Sequence, residues 1–143
     1  MGITQEWDNA DRTIMRHVFC GWWNVSEYQH TFEAFATIAQ REPHTVHYIL
    51  DFSQSDGFLG NLLGIVHELE QIMPPNAGIC VAVAPTYQTE TMFNIAHKVA
   101  PSIFGNLHYA NNIHDARDII WRQCQTFEAI HVDDYDDYEA YTG

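Results

Sequence analysis

Basic residues are scarce in this chain of 143 residues, which has only 6 lysines and arginines against 19 aspartates and glutamates. With its 9 histidines counted as neutral, the formal net charge is −13. Six scattered cations cannot form the positive stripe that binds phosphate backbones or anionic lipid surfaces. We therefore expect neither nucleic acid nor an anionic membrane surface among its partners.

Long apolar runs and cysteine motifs are also missing. Apolar segments such as 79–84 are far shorter than a membrane span, and the first residues lack the basic and apolar regions of a signal peptide. Cys20, Cys80 and Cys124 form no C-x-x-C motif and have apolar neighbours, a pattern typical of reduced thiols. We expect a cytoplasmic protein with no membrane span and no disulfide framework.

The motifs of common enzyme chemistry are absent too, because the sequence contains no G-x-S-x-G, P-loop or G-x-G-x-x-G. His44 and His47 have H-x-x-H spacing, but near the start of a strand residues three apart point to opposite faces, so we expect no metal site. The sequence predicts no cofactor and no enzymatic activity. One enzyme alternative stays open, in which Asp51 and a nearby histidine act as acid and base.

Hydrophobic residues, by contrast, make up 46% of the chain and aromatic residues 13%. This content is enough for one domain of this length to fold by itself. The spacing of the apolar residues predicts strand, strand and helix, followed by three further strand-and-helix pairs. The pattern implies an α/β fold with a mostly parallel five-stranded sheet, an antiparallel N-terminal edge strand from a hairpin, and about four helices.

The first elements have clear local signals. The hairpin is predicted over residues 3–7 and 13–19, joined by a polar turn. The first helix is predicted to start at Asn24, because Asn24 and Glu27 have the spacing of a capping box.

The rest of the chain is predicted from apolar runs and charge. A buried strand is expected over residues 45–52, a loop over 53–57 and the second helix over 59–72. The single domain covers residues 1–127. The tail 128–143 holds six of the 19 acidic residues and no lysine or arginine, so we expect a disordered extension that is dispensable for folding.

Three of these segments resemble the STAS-like superfamily, and the resemblance covers roughly residues 3–125. It is carried by the hairpin with Gly-Trp-Trp-Asn at 21–24, by Tyr-Ile-Leu-Asp-Phe at 48–52, and by the Gly-containing turn at 55–60 before the second helix. This superfamily has the fold of anti-sigma-factor antagonists and, more distantly, of CRAL-TRIO lipid-transfer domains. The chain is most similar to small bacterial STAS-like proteins that consist of one domain.

The resemblance implies a phosphorylated serine. Anti-sigma-factor antagonists are phosphorylated in an Asp-Ser-Ser-Gly or Asp-Ser-Thr-Gly turn at the start of the second helix, and the corresponding turn here is Gln54-Ser55-Asp56-Gly57. Ser55 occupies the acceptor position, although the residue before it is Gln54 rather than an acid. In the alternative interpretation, Ser55 is an exposed turn hydroxyl near a helix N-terminus.

A ligand or partner site is expected at one edge of the sheet. Ligands of open parallel sheets bind outside the carboxyl ends of the strands. The candidates at this rim are Asp51, Ser53, Asp56, Gly57, Tyr87 and Asn111. Asp51 could equally cap a backbone amide of the following loop.

The aromatic residues near the N-terminus predict an interface. Trp22 and Trp23 cannot both face the core, so we expect one to pack under the first helix and the other to be an exposed interface anchor. The first strand contains Ile3 and Trp7, little charge and no proline, and its edge is therefore open to another chain.

Together these features predict a non-enzymatic STAS-like module that binds a protein partner or self-associates as a homodimer. The alternative is a small apolar-ligand or lipid-binding protein. Its CRAL-TRIO-like pocket would lie near residues 92–93 and 103–104, where apolar side chains follow one another.

Overall fold

The computed structural model describes the backbone of residues 2–136 and the side chains of residues 2–125. The strands are β1 Ile3–Trp7, β2 Ile14–Asn24, β3 Val46–Leu59, β4 Ala77–Val83 and β5 Leu107–Ala110. The helices are α1 Val25–Ala39, α2 Val66–Ile72, α3 Tyr87–Val99, α4 Pro101–Phe104 and α5 Ile113–Asp136, with a 3₁₀ turn at Leu62–Ile65 before α2.

The five strands form one sheet in the order β1-β2-β3-β4-β5. The β1 strand is antiparallel to β2, and all other pairs are parallel. This is the predicted α/β fold with an antiparallel edge strand from a hairpin, which the structure confirms.

Helices cover the two faces of the sheet unequally. Because consecutive parallel strands are neighbours, right-handed connections place α1, α2 and α3 on the same face. That face holds the main core, to which α1 contributes Phe32 and Phe35 and α3 contributes Phe93. The α5 helix lies on the opposite face, where Ala116 and Ile120 pack against β3 and β4.

Local sequence signals fix the start of α1. The Asn24 side chain accepts a hydrogen bond from the Glu27 amide at 2.7 Å, and the Glu27 carboxylate accepts one from the Asn24 amide at 3.1 Å. The predicted capping box is confirmed. The Glu27 carboxylate also accepts a hydrogen bond from the Gly2 amide at 2.9 Å, which ties the beginning of β1 to α1.

The region after residue 52 differs from the prediction. The segment 53–57 was expected to be a loop, but β3 continues through it to Leu59 and pairs with the equally extended end of β2. Two register shifts in β2 and a positive φ of 143° at Gly57 let the two strands stay paired here. Consequently the helical segment starts with the 3₁₀ turn at Leu62 and α2 itself begins at Val66, both later than the predicted residue 59.

The C-terminal helix also extends further than predicted. The α5 helix continues to Asp136, whereas a disordered extension was expected from residue 128. The sequence contains no glycine or proline between Gly105 and Gly143 that would end a helix. The remainder of the predicted tail, residues 137–143, lies outside the described residues.

Two further expectations were the absence of a membrane span and the absence of disulfides. Among the described residues, no helix is both long enough and apolar enough to cross a membrane. Over the same residues no disulfide joins Cys20, Cys80 and Cys124.

Candidate functional site

The predicted rim residues are distributed over β3, the start of α3 and the segment after β5. Asp51 and Ser53 belong to the middle of β3, whereas Asp56 and Gly57 lie near its end. Tyr87 is the first residue of α3. Asn111 follows β5 and lines a pocket at the ends of β4 and β5.

Asp51 is a buried carboxylate with a complete set of donors. Arg16 on β2 donates from Nη2 to Oδ2 at 2.8 Å, and Ser53 donates to Oδ1 from both its amide at 3.0 Å and its hydroxyl at 2.7 Å. Burial opposes ionisation of Asp51, but the hydrogen bonds from Arg16 and Ser53 outweigh it and hold its pKa below the usual range. The interpretation of Asp51 as a cap for a following amide is therefore the supported one.

Ser55 has a different environment from the predicted turn. It lies in β3 opposite Gly21 of β2, so no helix begins beside it. Its Oγ accepts a hydrogen bond from the Trp23 indole nitrogen at 3.0 Å and one from the Gly57 amide at 3.1 Å. The expected position at a helix N-terminus is wrong, because strand pairing between β2 and β3 continues past this residue.

The two adjacent tryptophans point in opposite directions. Trp23 is buried, with its ring centroid 4.8 Å from that of Phe19 and 5.9 Å from that of Tyr28 on α1. Trp22 is 60% exposed. Alternation along β2 gives this result, since successive side chains in a strand lie on opposite faces.

Trp22 rests on the backbone of Gly57. A Cβ atom added to Gly57 would lie 2.7 Å from Cζ3 of Trp22 and 2.9 Å from Oε1 of Gln88. Glycine at position 57 is thus required twice, for its positive φ and for the close approach of the indole.

Gln88 clamps the first turn of α3 to the end of β3. The Phe58 amide donates to Gln88 Oε1 at 3.2 Å, and Gln88 Nε2 donates to the Phe58 carbonyl at 3.2 Å. Gln88 is not among the predicted site residues, because nothing in the local sequence indicates a contact between residues 30 positions apart.

These contacts create an exposed aromatic surface, which we call the Trp22 platform. It consists of Trp22 and of Gly57, on whose backbone the indole lies. Two further large side chains at the end of β3 and the start of α3 are exposed, Leu59 at 60% and Tyr87 at 87%. Exposed large aromatic side chains are typical of protein-binding surfaces.

A separate pocket of about 630 Å³ lies at the ends of β4 and β5. Its charged and polar lining includes Glu90, Tyr109, Asn111, Asp115 and Arg122. The Tyr109 hydroxyl donates to the side chain of Asn94 at 3.1 Å, and burial together with the nearby Glu90 raises the pKa of Tyr109.

His47 and Cys124 form a contact that the sequence analysis did not anticipate. His47 Nδ1 accepts a hydrogen bond from the Ile79 amide at 2.9 Å, which assigns the proton of the neutral imidazole to Nε2. Nε2 lies 3.2 Å from Cys124 Sγ. In this tautomer the imidazole has no lone pair with which to accept the thiol proton, so the pair lacks the base of a catalytic Cys-His arrangement.

His47 also belongs to the H-x-x-H spacing with His44, at which no metal site was expected. Burial, with a smaller contribution from His44, lowers the pKa of His47. Among the described residues, no group of three or more histidine, cysteine, aspartate or glutamate side chains is arranged to hold a metal ion.

The solved structures that are similar to this chain include the following two. The anti-sigma-factor antagonist SpoIIAA in its unphosphorylated form matches 84% of this chain and 97% of its own, with a TM-score of 0.56 and 12% identity. An uncharacterised protein from Shewanella loihica PV-4 with a SpoIIAA-like fold matches 81% of this chain and 90% of its own, with a TM-score of 0.54 and 14% identity. No protein-family model matches the chain, and no curated protein does. The structural likeness shows that the chain has a STAS-like fold, as the sequence predicted.

Proposed function

We propose that this chain is a regulatory module that acts by binding another protein and does not itself catalyse a reaction. The observation that carries the proposal is the Trp22 platform, where the indole that lies against Gly57 is 60% exposed. Exposed aromatic side chains are the usual anchors of protein interfaces. The fold supports the same role, since SpoIIAA is described as an anti-sigma-factor antagonist.

The hydrogen bonds of two candidate catalytic groups, Asp51 and His47, favour a binding protein over an enzyme. The Asp51 carboxylate accepts hydrogen bonds from Arg16 and Ser53, and none of the described histidines donates to it. His47 holds its proton on the nitrogen that faces Cys124, as described above. Neither group is available to exchange a proton with a substrate.

The alternative of an apolar-ligand pocket receives less support. Phe93, Ile103 and Phe104, which were expected to line it, are buried in the main core. The rings of Phe93 and Phe104 lie 5.6 Å apart, so these side chains fill the space between α3 and α4 themselves.

Cross-linking in cells of the source organism tests the binding proposal. A photoreactive phenylalanine replaces Trp22 in one variant and Trp121 in the other, because Trp121 on α5 is 63% exposed and provides a matched control. We expect one protein to be captured through position 22 and not through position 121. Equal adducts at both positions, or none at either, would contradict the proposal.

Self-association through β1 is the second part of the proposal. Within residues 2–136, which the structure describes, the β1 strand lies at an edge of the sheet and pairs only with β2. Ile3 and Trp7 pack against the main core, so the edge offers its backbone groups rather than these side chains. We expect a homodimer in sedimentation at micromolar concentration and physiological salt. A 16.5 kDa species that persists at high concentration would exclude it.

Phosphorylation of Ser55 is the proposed means of regulation. Ser55 is partly exposed, and its Oγ accepts the hydrogen bond of the buried Trp23 indole beside the Trp22 platform. A phosphate on this oxygen would displace that bond and disturb the platform. Intact-mass measurement of protein purified from its source organism should show one phosphate that the Ser55→Ala variant lacks. A mass without phosphate under all growth conditions would contradict this part.

A further inference from the structure

A negative charge adjoins the Trp22 platform. Asp56 immediately precedes Gly57, against which the Trp22 indole lies, and Asp56 is an exposed residue. A partner segment that covers Trp22 therefore meets an aromatic side chain with a carboxylate close to it in the chain.

The cations of the chain are engaged or lie elsewhere. Four arginines are paired with carboxylates, namely Arg12 with Glu42, Arg16 with Asp51, Arg117 with Asp8 and Arg122 with Asp118. Arg41 follows the end of α1, and Lys98 is in the last turn of α3. Since these helices return to the amino ends of the strands, both cations lie at the opposite end of the sheet from the platform.

The indole itself is suited to a cation. One part of the Trp22 ring lies against Gly57, and the side chain as a whole is 60% exposed. A guanidinium or ammonium group over the face of an indole is attracted by the negative charge of the π system, and a nearby carboxylate increases this attraction.

We propose that the Trp22 platform binds a basic segment of the partner protein, with an arginine or lysine side chain stacked on Trp22 and paired with Asp56. This inference rests on the proposed function and names the chemistry of the partner. The net charge of −13 acts in the same direction, because it attracts a basic segment at long range and repels a second copy of this chain.

Peptide binding to the full chain tests the inference. The probe is a fluorescein-labelled peptide of arginine, glycine and serine, and the reference is the same peptide with uncharged citrulline in place of each arginine. We expect the arginine peptide to bind at least tenfold more tightly at physiological salt, as measured by fluorescence anisotropy. Equal affinities would overturn the inference and point to an apolar segment.

Matched variants locate the binding. Trp22→Ala should weaken the arginine peptide about tenfold, Trp22→Tyr should retain part of the affinity, and Trp121→Ala should leave it unchanged. Asp56→Asn should weaken binding a few-fold and reduce its dependence on salt. Equal losses in Trp22→Ala and Trp121→Ala would show only non-specific attraction to an acidic protein and would overturn the inference.

The two proposals can fail separately. If a protein cross-links to position 22 in cells but the arginine peptide does not distinguish Trp22→Ala from the wild type, the basic segment is wrong and protein binding stands. If no protein cross-links to position 22, the proposed function itself fails.

Discussion

The two faces of the central sheet accommodate a buried ionisable group in opposite ways. On the face covered by α1 to α4, His17 is fully buried, and in the described part of the chain neither of its ring nitrogens has a hydrogen-bond partner. On the face where α5 packs, Asp51 is almost as deeply buried but accepts hydrogen bonds from Arg16 and Ser53.

The environments decide which form of each group is stable. The ring of His17 lies 5.4 Å from that of Phe35 in an edge-on contact, and its desolvation lowers the pKa to about 3. The apolar face therefore keeps its histidine neutral, whereas the polar donors around Asp51 keep that residue charged. One sheet thus combines an aromatic core with a charged opposite face, and the exposed Trp22 lies on the side away from the core.

The largest expected effect is a loss of stability at low pH caused by His17. Its folded pKa of about 3 is below the ordinary value of 6.5, so between these values the unfolded chain binds more protons than the folded chain. The stability is complete above pH 6.5 and falls as the pH decreases toward 3, by up to roughly 4 kcal/mol. Urea unfolding of the wild type and of His17→Leu at pH 7, 5 and 4 measures this.

Comparison with His17→Leu separates the effect of His17 from that of the carboxylates, because the carboxylates titrate in both proteins. His17→Leu should be about as stable as the wild type at pH 7 or more stable by about 1 kcal/mol, because two buried nitrogens without partners are removed. Its advantage should widen as the pH falls. A difference that stays constant from pH 7 to pH 4 would contradict the comparison between the two faces.

The next effect concerns the charged face. Arg16→Met leaves the buried Asp51 carboxylate without its cation and should cost about 2 to 3 kcal/mol of unfolding free energy. This cost is somewhat smaller than that of breaking a fully buried pair, because Arg16 is partly exposed. The control is Arg12→Met, whose pair with Glu42 is 3.7 Å apart and exposed on the arginine side. That variant should lose less than about 1 kcal/mol. Equal losses in urea unfolding at pH 7 would show that burial of Asp51 has no special energetic role.

The smallest expected effect distinguishes the contact between Gly57 and Trp22 from backbone strain alone. Gly57→Ala combines a positive φ with a Cβ that would meet the indole, and we expect it to lose about 2 kcal/mol and to shift the fluorescence of Trp22. Gly21→Ala also has a positive φ, but nothing lies within 4 Å of the added Cβ. It should lose only about 1 kcal/mol, without the fluorescence change. Indistinguishable variants would mean that the indole does not depend on Gly57.

Local signals in the sequence determined most of the architecture. The alternation in residues 3–7 and 13–19, the capping box of Asn24 and Glu27, and the apolar run of β4 each depend on residues a few positions apart, and the structure confirms the elements that they predict. The opposite orientations of Trp22 and Trp23 follow from strand alternation, but only because β2 extends to Asn24, beyond the predicted strand over 13–19.

Only the tertiary structure decided the environment of the candidate site. The pairing of Ser55 with Gly21, the salt bridge between Arg16 and Asp51, and the clamp of Gln88 on Phe58 join residues that are 30 or more positions apart. A loop and a strand edge have similar polar, Gly-containing sequences, and what distinguishes them is whether another strand supplies hydrogen bonds. The end of β3 is a strand because β2 lies beside it. For the same reason Gly57 lies against the Trp22 indole and does not belong to a turn before the second helix.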